Sequence, residues 1–498
     1  MARTSIKKAL RALEQNIRHT ETYEAWRALS LEHDRLSGAE DWKEDDKSPY
    51  YDYSLIRVRL NELRQGRARN DVEQLVFNLH EGLHGNLGNI ANINLYNVAR
   101  VGTKQLVVDY LHEVCSALAY LCDNDFPSFS FQRKLEFFRE MRLAFGCSAL
   151  MLSGGAALGM FHMGVMKALW EQRLLPTVMS GSSTGSIMAA VLGTRTDQEL
   201  VDIFDPTYLY VEAFRVVGWR GLMKGKPLLR GDQLETCLEK NVLDLTFEEA
   251  YRRTGRHINI PVSPADPHQQ ARVLNAKTAP NVLVRKASLA SCAIPGVFPS
   301  VTLWAKNIRG EKVPYIPSRR WVDGSIKNDL PVSRLARLYG VNHTIVSQTN
   351  PHVLPFISRR EVEGGMGYTL RRWATMNWTQ NASFVLDILR QSIKNNEVAL
   401  LVDKAHSIMS QRYIGDINLV PPRMPTNLIR VLKNATTKEV ADFIHSGERA
   451  TWPKIEIIRN TTEISRTFER CCQKLEEQER RRLLLGALPS GGGERRVD

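Results

Sequence analysis

Gly181-Ser182-Ser183-Thr184-Gly185 matches the pattern G-x-S-x-G, between a short apolar run, Pro176 to Ser180, and a helical stretch, Ser186 to Leu192. A serine on a sharp turn from strand to helix holds its hydroxyl clear of the backbone, where a nucleophile must stand. Gly181 and Gly185 have a steric reason there, since Cβ atoms would collide where strand and helix pack across the turn. The competing reading is an ordinary Ser/Gly turn. A serine hydroxyl also needs a base. Trp321-Val322-Asp323-Gly324-Ser325 offers a carboxylate at a strand end, with a glycine behind it for close approach. With an ordinary pKa of about 3.9, Asp323 is ionised at neutral pH and can accept the serine proton.

A third element lies 28 residues upstream of Gly181: Ser153-Gly154-Gly155-Ala156-Ala157-Leu158-Gly159, at the end of another apolar run. Small residues leave backbone N–H groups bare, and the helix start that follows adds positive potential. Such a loop can cradle a phosphate or form an oxyanion hole. Neither G-x-G-x-x-G nor G-x-x-x-x-G-K-[ST] occurs here, which disfavours a nucleotide. The other reading is an oxyanion hole for a tetrahedral acyl intermediate, and tight helix–strand packing is the bland competitor of both. A Ser-His-Asp triad stays open, because His343 and His352 follow Asp323 in the order α/β-hydrolases require. Both read better as strand or loop histidines, and His162 as a packed or capping one. Asp329, before Leu330 and Pro331, fits a helix cap. No H-x-x-x-x-D motif supports a built-in acyltransferase of that type.

The elements that must position these residues alternate. Ser148 to Leu152 and Pro176 to Ser180 read as strands, and Met160 to Gln172 and Ser186 to Leu192 as helices. That order predicts an α/β fold with a mostly parallel sheet covered on both faces. Further strands are expected at His257 to Ile260, Trp321 to Val322, and His343 to Ser347. Upstream, apolar residues recur at helical spacing from Tyr53 to Cys122, and a cluster of asparagines between Asn86 and Asn97 suits turns and caps. The division expected is an extension over 1–19, a helical domain over 20–146 and a catalytic domain over 147–345. A mainly helical region over 346–470 and a charged flexible tail over 471–498 complete it.

The 498 residues bring a prior of about three compact units. Apolar residues make up 43% and charged residues 24%, so wholesale disorder and collagen-like fibres are excluded. The net charge of +13 suits an anionic surface, nucleic acid or phospholipid, without choosing between them. Seven scattered cysteines contain no C-x-x-C pair, which fits a reducing interior rather than a disulfide framework or a zinc ribbon. No metal-ligand cluster is visible, and no cofactor is expected. The basic N-terminus lacks the apolar region of a secretory signal, and no apolar run is long enough to span a bilayer. Membrane contact is therefore expected to be peripheral, for an intracellular, cytoplasmic protein.

Taken in order, the glycine loop, G-x-S-x-G and D-G-[GAS] resemble the patatin-like phospholipase family. Ala287-Ser288-Leu289-Ala290-Ser291-Cys292-Ala293-Ile294-Pro295-Gly296-Val297-Phe298-Pro299 is similar to that family's A-S-x-A-x-P-x-x-F-P segment. Leu95-Tyr96-Asn97, Gly102-Thr103-Lys104 and Gly447 to Pro453 resemble the triacylglycerol-lipase branch, which carries a helical N-terminal domain of the DUF3336 type. The resemblance implies a patatin-like three-layer core and a Ser–Asp dyad without histidine, acting on acylglycerol esters and on phospholipids as a second class. Ser183 carries over as nucleophile, Asp323 as base, and Gly154, Gly155 and Ala156 as oxyanion loop, with Gly181, Gly185 and Gly324 as motif glycines. Two positions depart from the pattern, Ala156 for the third glycine and Leu158 for the usual basic residue. The partner implied is lipid at a membrane or droplet surface rather than nucleic acid, and the oligomeric state stays open. Phe214, Trp219, Arg220 and Lys224, in a stretch mixing apolar, aromatic and basic residues, are the candidate interface. An acyltransferase using the same acyl-enzyme and a catalytically silent lipid-surface scaffold remain the alternatives.

Overall fold

The computed structural model describes residues 2–217, 227–266, 269–324, 330–350, 414–422 and 433–487. It divides the chain into two compact units, one of Met1–Cys147 with Pro453–Asp498, the other Ser148–Trp452.

The first unit is helical: α1 (Ala2–Arg18), α2 (Tyr23–Ser37), α3 (Ala39–Glu44), α4 (Tyr53–Ala68), α5 (Val72–Gly82), α6 (Gln105–Asp123) and α7 (Phe131–Phe145), joined by a final helix, α16 (Ile455–Ala487). Side-chain oxygens open several of them, Thr22 for α2, Asp52 for α4, Asp71 for α5 and Ser130 for α7, each accepting a first-turn N–H. Leu106, Val107, Tyr110, Val114 and Leu118 form a buried stripe on α6, the three-and-four spacing of the sequence made into a core face. Asn86 and Asn89 take the left-handed conformation, with φ of 60° and 66°, which accounts for asparagine in that connection. Thr103 donates to the Leu95 carbonyl and buried Lys104 to those of Trp42 and Asp45, so this polar segment organises the unit's interior. Residues 471–487 continue α16 as one helix, and the sequence division at 470 falls inside it.

The second unit is the α/β unit. Its strands are β1 (Cys147–Leu152), β2 (Val178–Gly181), β3 (His257–Pro264), β4 (Arg272–Leu274), β5 (Trp304–Lys306), β6 (Lys312–Pro314), β7 (Trp321–Asp323), β8 (Val341–Ser347) and β9 (Ile417–Leu419). Between them run α8 (Met160–Glu171), α9 (Thr184–Gly193), α10 (Asp197–Ile203), α11 (Gly231–Asn241), α12 (Phe247–Thr254), α13 (Val284–Ser291), α14 (Val332–Tyr339) and α15 (Thr437–Thr451). The main sheet has the order β4-β3-β2-β1-β8-β9, with β7 also on β3, and β5 and β6 pair separately. β1–β2, β2–β3 and β8–β9 are parallel, while β4 and β7 run antiparallel to β3, so the fold is α/β with a mostly parallel sheet. Ala149 to Leu152 and all of α9 are buried, which is why they read as unbroken apolar or small runs instead of alternating ones.

The carboxyl ends of two neighbouring strands carry the glycine-rich motifs. β1 leads through the glycine loop into α8, and β2 leads through the G-x-S-x-G turn into α9. Helix α8 packs against α15 at a point where Gly164 faces Gly447.

Candidate functional site

Ser183 stands between β2 and α9 with φ 50° and ψ −123°, a region that residues with a Cβ seldom occupy. Such backbone costs on the order of 1–3 kcal/mol and persists where its surroundings enforce it. Here the enforcement is explicit. Ser182 N–H donates to the Leu152 carbonyl at 3.0 Å, and Ser183 N–H donates to Ser291 Oγ at 3.1 Å. A Cβ on Gly181 would lie 2.7 Å from the Ser186 nitrogen, and one on Gly185 2.7 Å from the Ser153 carbonyl oxygen. Only glycine fits at either end of the turn.

Asp323 reaches this place through sheet register. Ser180 of β2 pairs with Asn259 of β3, so a straight β2 would set residue 183 opposite Val262. Val262 pairs with Arg272 of β4 and also with Asp323 of β7. One residue cannot pair with two strands on the same edge, so β7 lies along the edge of β3 that β2 vacates when it turns. Asp323 thus occupies the ladder position that Ser183 leaves. It is 1% exposed, and its N–H donates to the Ala293 carbonyl at 3.0 Å. Gly324 is needed behind it, since a Cβ there would lie 2.6 Å from the Val262 nitrogen.

Cys292 reports the nearness of the two groups. Its buried thiol is pushed up strongly, first by burial and then by the Asp323 charge, while hydrogen bonds with Ser186 and Ser183 act the other way. A thiol held neutral in this way is a poor nucleophile.

The glycine loop completes the group. A Cβ on Gly154 would stand 3.5 Å from Ser183 Cβ, and one on Gly155 would meet Thr349 Cβ at 2.9 Å. Ala156 takes φ 49° as the chain enters a 3-10 turn, Ala156 to Gly159, ahead of α8. Ala156 and Ser183 both line an apolar cleft. Its walls include Met160, Ile187, Val191, Leu234 and Phe298, and Thr184 also lines it. The structure therefore brings Ser183, Asp323, Gly154, Gly155 and Ala156 to one end of the sheet, beside a pocket shaped for apolar chains.

The histidines are engaged elsewhere. His343 Nδ1 lies 2.9 Å from Ser148 Oγ, and Ser148 is five residues, about 16 Å of strand, from Ser153. Burial holds His343 below its ordinary pKa. His162 is fully buried beneath the glycine loop, and His352 lies outside the described residues. Asp329, Trp219, Arg220 and Lys224 lie outside them too. Phe214 is half-buried and lines the cleft, with Asn434 bonded to both its N–H and its carbonyl. Sequence reasoning missed Ser291, Cys292 and Thr349 as neighbours of the site. The first two lie in the Ala287 to Pro299 segment, while Thr349 carried no motif.

Residues 150–336 match the family described as patatin-like phospholipase, and residues 3–143 match a domain of unknown function, DUF3336. Triacylglycerol lipase ptl3 of Schizosaccharomyces pombe is 31% identical over 474 residues, 90% of this chain and 94% of the relative. Triacylglycerol lipase 4 of Saccharomyces cerevisiae is 35% identical over 464 residues, 89% of this chain and 51% of the relative. Triacylglycerol lipase SDP1L of Arabidopsis thaliana is 33% identical over 480 residues, 92% of this chain and 58% of the relative. The chain spans little more than half the length of these last two.

Proposed function

The chain belongs to the patatin-like phospholipase family, and on that premise we propose that it is a serine lipid acyl hydrolase cleaving fatty-acyl esters of acylglycerols, with phospholipids as a second class. The observation that carries the reading is the ladder position of Asp323, opposite Val262 at the level where β2 turns away into the strained Ser183. The triacylglycerol lipase names of the relatives favour neutral acylglycerols as the main substrate. Leu158, where the family pattern has a basic residue, agrees with that preference by removing a charge for phosphate.

In the mechanism proposed, Asp323 takes the proton of Ser183 Oγ as Oγ bonds to the acyl carbonyl carbon. The oxyanion is met by N–H groups of Gly154, Gly155 and Ala156. The tetrahedral intermediate collapses, the C–O bond to the glycerol breaks, and Asp323 returns its proton to the departing alkoxide. Water then attacks the acyl-enzyme with Asp323 again as base, releasing the fatty acid and restoring Ser183. General acid–base assistance of this kind contributes roughly 10²–10⁴-fold, and one oxyanion donor roughly 10²–10³-fold. The acyl chain lies in the apolar cleft during both steps.

No helix among the described residues is long and apolar enough to cross a membrane. We place substrate capture at a lipid surface, met peripherally from inside the cell, with the stretch from Phe214 to Lys226 as the contact and 147–345 as the catalytic domain. The test is a panel of triacylglycerol, diacylglycerol, phospholipid and lysophospholipid given to wild type, Ser183→Ala and Asp323→Asn. Hydrolysis by wild type alone supports the reading, and equal rates in all three refute it.

A further inference from the structure

The glycine loop is held from behind by a closed set of hydrogen bonds. The Ser153 carbonyl lies 2.9 Å from His162 Nε2. The Gly154 carbonyl accepts from Ser153 Oγ at 2.9 Å and from Thr349 Oγ1 at 3.0 Å. Thr349 N–H donates to Ser153 Oγ at 2.8 Å, and Ser347 Oγ lies 2.7 Å from His162 Nδ1. A carbonyl oxygen only accepts, so Nε2 carries the ring proton and Nδ1 accepts from the Ser347 hydroxyl. Thr349 Oγ1, 3.2 Å from Nε2, shares that proton as a second acceptor. Ser153, His162, Ser347 and Thr349 are all completely buried. Burial pushes the His162 pKa down to about 4, which keeps Nδ1 free of a second proton and able to accept.

In a trans peptide the C=O and N–H bonds point in opposite directions. Holding the Ser153 carbonyl toward His162 turns the Gly154 N–H away from it. Holding the Gly154 carbonyl toward Thr349 turns the Gly155 N–H away in the same manner. Ser183 stands close to Gly154, and Ala156 borders the cleft with Ser183. Among the described residues, none accepts from the N–H of Gly155 or Ala156. A glycine pair has the freest backbone in the repertoire, so its peptide planes need outside restraint to keep one orientation. Donors aimed before the reaction cost no reorganisation during it.

We propose that His162 and Thr349 are positioning residues that clamp the carbonyls of Ser153 and Gly154 and thereby aim the loop N–H groups at the oxyanion formed on Ser183. The inference rests on the acyl-hydrolase reading. Neither side chain touches substrate. Each acts through a peptide plane of the loop.

The experiment uses the full chain and p-nitrophenyl butyrate, a soluble ester that needs no lipid surface. Thr349→Val keeps the shape and removes the hydroxyl donor, while Thr349→Ser keeps the donor. Thr349→Val is expected to lower kcat by roughly tenfold to a hundredfold with KM within about twofold, and Thr349→Ser to restore kcat to within about threefold. His162→Gln, which keeps an N–H for the Ser153 carbonyl, is expected to retain more kcat than His162→Phe, and this ranking gives an independent reading where Thr349→Val fails to fold. Folded Thr349→Val with wild-type kcat, or a Thr349→Ser variant as slow as Thr349→Val, would overturn the clamp alone. Wild type no faster than Ser183→Ala would overturn the hydrolase reading and the clamp with it.

Discussion

Gly164→Ala is expected to destabilise the α/β unit, and the magnitude follows from one contact. A Cβ at Gly164 would stand 2.7 Å from the carbonyl carbon of Ile444 and 2.9 Å from the Glu448 nitrogen, so it would enter the backbone of α15. The reciprocal glycine is as tight, since a Cβ at Gly447 would lie 2.9 Å from the Val165 nitrogen. No rotamer relieves a clash between Cβ and backbone. One helix must move, and overpacking of this kind costs up to about 3 kcal/mol. The helix propensity gain of alanine over glycine, about 1 kcal/mol, offsets only part of that. At roughly 2 cal/mol/K of unfolding entropy per residue, a unit of about 300 residues melts roughly 1.6 °C lower per kcal/mol lost, so the net loss of about 2 kcal/mol is roughly 3 °C. The internal control is Gly66→Ala in α4, where a new Cβ would make its nearest contact at an ordinary 3.6 Å, with Leu75. That variant keeps the propensity gain and is expected to be neutral or slightly stabilised. Thermal unfolding followed by circular dichroism separates the two. If Gly164→Ala melts at or above wild type, the helix contact is wrong.

Acid should weaken the fold through histidines that it holds neutral. Burial, largest in both cases, holds His162 and His257 near pKa 4, while an unfolded histidine takes its proton near 6.5. Between those values the unfolded chain binds more protons, so stability falls as pH drops from about 6.5 to 4, by up to about 3 kcal/mol for the fully buried His162 and by less for the partly exposed His257. Melting temperatures that stay flat over this range would contradict the burial of His162. Val191 lines the cleft eight residues along α9 from Ser183, about 12 Å of helix. Val191→Phe is expected to lower kcat/KM for a long-chain p-nitrophenyl ester by about fourfold for each methylene denied the cleft, and to spare the butyrate ester. Equal losses on both esters would move the acyl site elsewhere. Hydrolysis of the soluble ester is expected to survive EDTA, and loss that Ca²⁺ or Zn²⁺ restores would overturn the metal-free mechanism.

The α/β pattern was legible because its signals are local. Apolar runs end at glycine loops, and the G-x-S-x-G turn joins a strand and a helix that the structure sets at Val178–Gly181 and Thr184–Gly193. The short strands β4, β5 and β6 were not legible, since three residues each carry no period. The register that sets Asp323 opposite Val262 is also beyond sequence reading, because it joins residues 61 apart through a pairing that no local rule fixes. The residues behind the glycine loop were hidden for the same reason. Ser347 and Thr349 lie almost two hundred residues from Ser153 and read as the end of an ordinary strand. Helix α16 joins Phe468 and Cys472 to Phe138 of α7, a closure over more than three hundred residues. Its glutamates and arginines looked like a solvated tail because only one face of that helix is buried.

The measurement that tests the central claim most directly is labelling with a fluorophosphonate, read by peptide mass spectrometry. Such a probe bonds only to a serine whose proton is taken by a nearby base and whose oxyanion is met by donors. The account predicts one phosphonylated residue, Ser183, with labelling slowed at least a hundredfold in Asp323→Asn and absent in Ser183→Ala. Labelling of another serine, or of Ser183 at the same rate when Asp323 is Asn, would contradict it.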